Sequence, residues 1–119
     1  MARVLVVDDA IFARMRCARL LTDNGYEVDE AANGAEALAK YKQQKPDAVL
    51  LDITMPDMDG LAALKQIINH DPDARVAMVS AMGQKSMVVE ALEVGAKDFV
   101  VKPFDAARVL QAVQKLCSN

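Results

Sequence analysis

Four short apolar runs each end on a polar residue. Val4-Leu5-Val6-Val7 stops at Asp8-Asp9, Ala48-Val49-Leu50-Leu51 at Asp52, Val76-Ala77-Met78-Val79 at Ser80, and Phe99-Val100-Val101 at Lys102-Pro103. Runs this short and continuous read as strands buried on both faces, the pattern of a parallel sheet covered by helices. If the four are neighbours in one such sheet, three carboxylates, a hydroxyl and an ammonium emerge at a single rim. That rim is where open α/β sheets place their ligands.

Helical patterns fill the intervals. After Asp9, Ile11, Met15, Ala18 and Leu21 recur at helical spacing, with Gly25 as the stop. Residues 26–31 alternate as a weaker, half-buried strand. Asn33-Gly34-Ala35-Glu36 reads as a capping box opening a helix through about Gln44, and Pro46-Asp47 resets the chain. A stripe of Leu61, Leu64 and Ile68 starts at Gly60 and stops at Asp71-Pro72. Met87 or Val88, Ala91 and Leu92 form the next stripe, ended by Gly95. Asp105 caps a last helix carrying Val109, Val113 and Leu116. Five strands alternating with five helices, joined by right-handed crossovers, predict a doubly wound sheet. The strand at 26–31 is the least apolar and belongs at an edge. An order of 2-1-3-4-5 then puts strands 1 and 3 side by side, with Asp8, Asp9 and Asp52 facing one crevice.

Composition narrows the classes of function. The 119 residues are 53% hydrophobic, enough for one core, and 17 acids against 14 bases give a net charge of −3. With no basic run, neither nucleic acid nor an anionic membrane is an expected partner. No apolar stretch approaches the roughly 18 residues of a spanning helix, and Asp8-Asp9 comes too early for a signal peptide. Cys17 and Cys117 form no metal or redox pattern and read as plain thiols of a cytoplasmic protein. His70, the single histidine, sits beside Asp71-Pro72 in an expected turn, which leaves little scope for histidine chemistry.

Chemistry therefore falls to the crevice. Two carboxylates about 4 Å apart repel by about 4 kcal/mol at an effective dielectric near 20, and a third adds to this. Either protons or a cation must relieve them. Oxygen donors with an open side suit Mg²⁺, which keeps several waters and shares phosphate oxygens. A carboxylate can also act as a nucleophile and form an acyl phosphate. The three oxygens of a transferred phosphoryl group each need a partner. The cation, the Lys102 ammonium, and the Ser80 hydroxyl with nearby backbone N–H groups supply three.

At these residues the chain resembles the receiver domains of two-component response regulators. The likeness runs over all 119 residues and includes the Asp pair, the acceptor Asp, the Ser/Thr and the Lys-Pro. It implies a single receiver domain spanning residues 1–119, with a doubly wound, flavodoxin-like (βα)5 fold in the 2-1-3-4-5 order known for the family. It also implies that Asp52 accepts the phosphoryl group. Asp9, Asp52 and the backbone carbonyl of Thr54 would ligate Mg²⁺, with Asp8 acting through water. Ser80 and Lys102 would bind the phosphoryl oxygens, and Lys102-Pro103 would be a cis peptide. Residues 52–60 (Asp-Ile-Thr-Met-Pro-Asp-Met-Asp-Gly), 80–87 (Ser-Ala-Met-Gly-Gln-Lys-Ser-Met) and 95–104 are similar to the chemotaxis, CheY-type branch of the family in non-enteric bacteria. Thr54 stands where the enteric pattern has Asn. Phe99 stands where it has Tyr, which keeps the ring of the switch and removes its hydroxyl.

The resemblance implies a CheA-like histidine kinase upstream, the flagellar motor switch downstream and a phosphatase of unidentified type. It implies a monomer that catalyses only its own phosphorylation and dephosphorylation. With no effector domain after Asn119, output is expected through protein binding. Ser80 would sense the phosphoryl group, and the surface around Phe99, Lys85, Val88 and Val101 would change shape. The alternatives are a phosphorelay intermediate serving a histidine phosphotransferase, and a Mg²⁺-dependent phosphatase acting on external phosphoesters. Other patterns fall away. Asp57-Met-Asp59-Gly60 follows Pro56 rather than an apolar strand, so it is not the nucleophile motif of haloacid-dehalogenase phosphatases. It also fails as an EF-hand, because Met55 occupies a ligand position. The five glycines form no nucleotide loop. Of the methionines, Met15 and Met78 are expected in the core, and Met55, Met58, Met82 and Met87 around the crevice.

Overall fold

The computed structural model describes residues 2–53, 59–81 and 83–118. Strands and helices alternate strictly among them: β1 (Arg3–Val7), α1 (Ile11–Asp23), β2 (Glu27–Ala31), α2 (Gly34–Gln44), β3 (Ala48–Asp52), α3 (Gly60–His70), β4 (Val76–Ala81), α4 (Lys85–Val94), β5 (Asp98–Lys102) and α5 (Ala106–Cys117). All strand pairs are parallel, and the sheet order is β2-β1-β3-β4-β5. This is the expected doubly wound α/β sheet, with the least apolar strand at one edge.

Alternation along the strands sorts the core into two layers. Val4, Val6, Leu50, Ala77 and Val79 face Cys17 and Leu21 of α1 and Val109, Val113 and Leu116 of α5. Leu5, Val7, Val49, Leu51, Val76 and Met78 face α2, α3 and α4. Every residue of β3 is buried, which a central strand covered on both faces requires. Helix starts follow the capping chemistry. The Asn33 side chain accepts from the N–H of Glu36, Asp59 from Ala62 and Asp105 from Arg108. Glu36 reaches back to the Ala32 N–H at 3.2 Å, one residue beyond the N-cap partner of the usual capping box.

Several expectations of burial need correction. Met15 is 52% exposed and Ile11 54%, because the buried face of α1 is Cys17, Ala18 and Leu21. Phe12, in the same first turns of α1, is 80% exposed. Met87 packs against the α2–α3–α4 core rather than around the crevice. Leu92 is largely exposed, and the face of α4 that is buried carries Val88 and Ala91. His70 is not in a turn but is the exposed last residue of α3, edge-on to the Tyr41 ring. Met78 is fully buried as expected. Among the described residues no helix is long and apolar enough to cross a membrane.

Candidate phosphoryl and cation site

β1 and β3 lie side by side, and the chain crosses to opposite sides of them, so a crevice opens at their C-terminal ends. The register pairs Val7 with Leu51, which brings Asp8 level with Asp52 one step on. Both carboxylates therefore share the α1–α5 face of the sheet. Lys102, at the end of β5, shares that face too, by alternation from buried Val100. Its ammonium lies 3.3 Å from Asp8 Oδ2 and 3.3 Å from Asp52 Oδ2. Asp8 and Asp52 are buried and Asp9 is exposed at the mouth. Ligand oxygens of Asp8, Asp9 and Asp52 lie within 4.8 Å of one another.

These groups fit a hard divalent cation. The donors are all oxygen, and oxygens on opposite sides of a six-coordinate Mg²⁺ are about 4 Å apart, twice its bond length of about 2.1 Å. The three carboxylate oxygens lie close enough together to share one such ion. Lys102 already serves Asp8 and Asp52 as a monovalent cation. Burial pulls its pKa down, but the charges of Asp52 and Asp8 and their hydrogen bonds outweigh this and raise it above the ordinary lysine value. The ammonium is therefore charged at neutral pH.

Ser80 is buried at the end of β4 and is level with Val101 rather than Lys102. Alternation turns it to the other face of the sheet, into a groove of about 380 Å³ lined also by Lys85, Val88, Leu92, Phe99 and Val101. The carboxylate cluster and Ser80 thus meet at the rim from opposite faces of the sheet. Phe99 is 38% exposed over this groove, so it is not a fixed core ring. Lys102-Pro103 is cis, as the family resemblance implies. Thr54, whose carbonyl was expected on the cation, lies outside the described residues, as do Met55, Asp57, Met58 and Met82.

Two arginines were not singled out by the sequence. Arg14 donates through Nη1 to the Asp8 carbonyl at 2.8 Å and through Nε to Glu30 at 3.0 Å. Arg108 donates through Nη2 to the Phe99 carbonyl at 2.6 Å and to Asp98 at 3.3 Å. Each ties a helix to a strand end. The available signal for Arg14 was its place near the start of α1, where the helix dipole disfavours a cation without a partner.

Fold and pocket together define a class: a doubly wound α/β protein with an acidic cation pocket and a bridging lysine at its switch point. A family model described as the response regulator receiver domain matches residues 4–114. The chain is 58% identical over 114 residues to the chemotaxis protein CheY of Bacillus subtilis (strain 168), covering 95% of each. Identity is 55% over 115 residues to the chemotaxis protein CheY of Thermotoga maritima, covering 96% of each. Among solved structures, the CheX–CheY–BeF3–Mg complex from Borrelia burgdorferi matches with a TM-score of 0.93 at 44% identity, covering 99% of this chain and 90% of that one. The chain belongs to the response regulator receiver domain family of two-component systems, and its likeness is to the CheY type.

Proposed function

We propose that this protein is a phosphorylation-controlled switch of chemotaxis, charged on Asp52 by a CheA-like histidine kinase and read by the flagellar motor switch. The observation that carries this reading is the Lys102 ammonium held 3.3 Å from both Asp8 and Asp52 in a cluster with Asp9. A structural carboxylate cluster needs no lysine shared between two strand ends. The CheY relatives support the chemotaxis assignment, and no observation favours a phosphorelay role or turnover of external phosphoesters.

In the proposed reaction an Asp52 carboxylate oxygen attacks phosphorus in line. A P–O bond forms as the P–N bond to the kinase histidine breaks, and the electron pair stays on the imidazole nitrogen. Asp9, Asp52 and the Thr54 carbonyl would hold Mg²⁺, with Asp8 acting through water. When bound, the ion would offset the charge on the phosphoryl oxygens. Lys102 stays paired with Asp8 and turns its other side from the Asp52 carboxylate to a phosphoryl oxygen. The Ser80 hydroxyl donates to a second. That bond draws Ser80 from its groove-facing position, and the Phe99 ring turns into the space between Lys85, Val88 and Val101. The phosphoryl group shifts the equilibrium because it interacts better with this second arrangement. A phosphatase resets the cycle, and the protein acts as a cytoplasmic monomer.

Intact-mass analysis after incubation with acetyl phosphate tests the chemistry. One base-labile phosphoryl group should appear only with Mg²⁺, and Asp52→Asn should take none while keeping the circular dichroism of the parent. Phe99→Ala should be labelled normally yet lose phosphorylation-dependent binding to a flagellar switch peptide. Stable labelling of Asp52→Asn would overturn the acceptor assignment. Undiminished coupling in Phe99→Ala would remove the ring from the switch.

A further inference from the structure

Asp9 is exposed, and among the described residues no hydrogen bond is made to its carboxylate. Its direction is set by the backbone that precedes it. Among the described residues, three contacts fix that backbone. The Asp8 N–H donates to the Ala31 carbonyl at 3.1 Å, carrying the β1–β2 ladder one residue past its end. The Ala10 N–H donates to Asp8 Oδ1 at 2.9 Å. The Asp8 carbonyl accepts from Arg14 Nη1 at 2.8 Å. Among the described residues, only the last acts directly on the peptide that joins Asp8 to Asp9.

Arg14 is built to hold that peptide. Its side chain is 15% exposed, rooted in α1 and ion-paired through Nε with Glu30 on edge strand β2. A planar guanidinium with two edges engaged has little freedom left to rotate. It spans helix, edge strand and strand end at one point beside the carboxylates.

We propose that Arg14 is a positioning residue for the cation site, locking the Asp8–Asp9 peptide to α1 and β2 and so aiming the Asp9 carboxylate at the space it shares with Asp52. This rests on the cation reading above. Acting merely as a nearby positive charge, Arg14 would repel a divalent cation, and its removal would tighten Mg²⁺ binding. Acting merely as a structural ion pair, it would change unfolding in the absence of Mg²⁺ and leave affinity alone. A positioning role predicts weaker binding in a protein that still folds.

Isothermal titration of the full unphosphorylated chain with Mg²⁺ separates these, with urea unfolding in EDTA as the stability control. Arg14→Gln should raise the Kd for Mg²⁺ about tenfold, the order found for groups that orient metal ligands from behind. Glu30→Gln, which loosens the bracket but leaves the Asp8 contact, should raise it by a smaller factor. Arg14→Lys keeps the charge without the fork and should fall between parent and Arg14→Gln. A Kd in folded Arg14→Gln that is unchanged or tighter overturns the inference. If that variant does not fold, unchanged affinity in Arg14→Lys and Glu30→Gln overturns it equally. Asp9→Asn separates the two levels. If it binds Mg²⁺ as well as the parent, or the parent binds none, the cation reading itself falls and this inference with it.

Discussion

Gly60 shows how much one missing side chain can decide. It opens α3, and its N–H donates to the Ile53 carbonyl at 2.6 Å. A Cβ at this position would lie 2.0 Å from the Asp52 carbonyl oxygen and 2.7 Å from the Ile53 Cα. Both obstacles are backbone, so neither can swing aside. The close approach seats the start of α3 directly against the peptide that carries the Asp52 carboxylate. Gly60→Ala should therefore cost about 2 kcal/mol or more, in the range of overpacking that forces backbone to move. Urea unfolding would measure this. The same variant should accept phosphate from acetyl phosphate more slowly, because the displaced backbone is that of Asp52. Normal stability would mean that α3 can pivot away without disturbing β3.

At the scale of elements, Tyr41 joins α2 to the turn after α3. Its hydroxyl donates to Asp71 Oδ2 at 2.7 Å. That hydrogen bond holds the Asp71 carboxyl below its usual range, helped by the Asp73 backbone. Burial, and then the same bond, raises the Tyr41 phenol above its ordinary value. The signs differ. The lowered Asp71 contributes stability that is present above about pH 3.8 and is lost as pH falls through its folded value. The raised Tyr41 contributes stability that is complete below about pH 10 and is lost as pH rises through its folded value. Tyr41→Phe should cost about 1 kcal/mol at pH 7. The gap between the denaturant midpoints of parent and variant should narrow as pH falls below about 3.8 and again as it rises above about 10. A difference that stays constant down to pH 2 would assign the effect to packing.

Elements also show where sequence reading succeeds and where it stops. Asp105 with Val109, Val113 and Leu116 gave the cap and the buried face of α5 correctly, because that helix packs on β3, β4 and β5. The stripe through Ile11 and Met15 misled, because apolar periodicity reports the face of a helix and not where its covering sheet ends. The chemical residues at the strand ends were legible because each interrupts an apolar run. Arg14 and Arg108 were not, since a cation on a helix surface looks the same whether it meets water or the carbonyl of a distant strand end. Ser80 was legible as a rim residue, but its turn toward the opposite face from Asp52 required the register between β3 and β4.

For the whole molecule, a ligand that binds only the folded site raises its stability by mass action. At a Mg²⁺ concentration one hundred times its Kd, the gain should be about 2.7 kcal/mol, and EDTA should remove it. Thermal unfolding with and without Mg²⁺ would show the difference, which should vanish in Asp9→Asn. An equal shift in that variant would mean the ion stabilises the chain elsewhere.

The site also has an order of arrival. Asp8 and Lys102 meet across 94 residues of chain, and Asp52 and Lys102 across 50. At about 5–20 residues per second, a ribosome needs roughly 3–10 s to travel from Asp52 to Lys102. Throughout that interval the nascent chain carries its three carboxylates without the ammonium that bridges two of them, and β5, the edge strand that supplies it, is incomplete. Under the function proposed above, a chain that stops short of Lys102 lacks the ammonium its acceptor site needs, so the capacity to be phosphorylated would come late in synthesis.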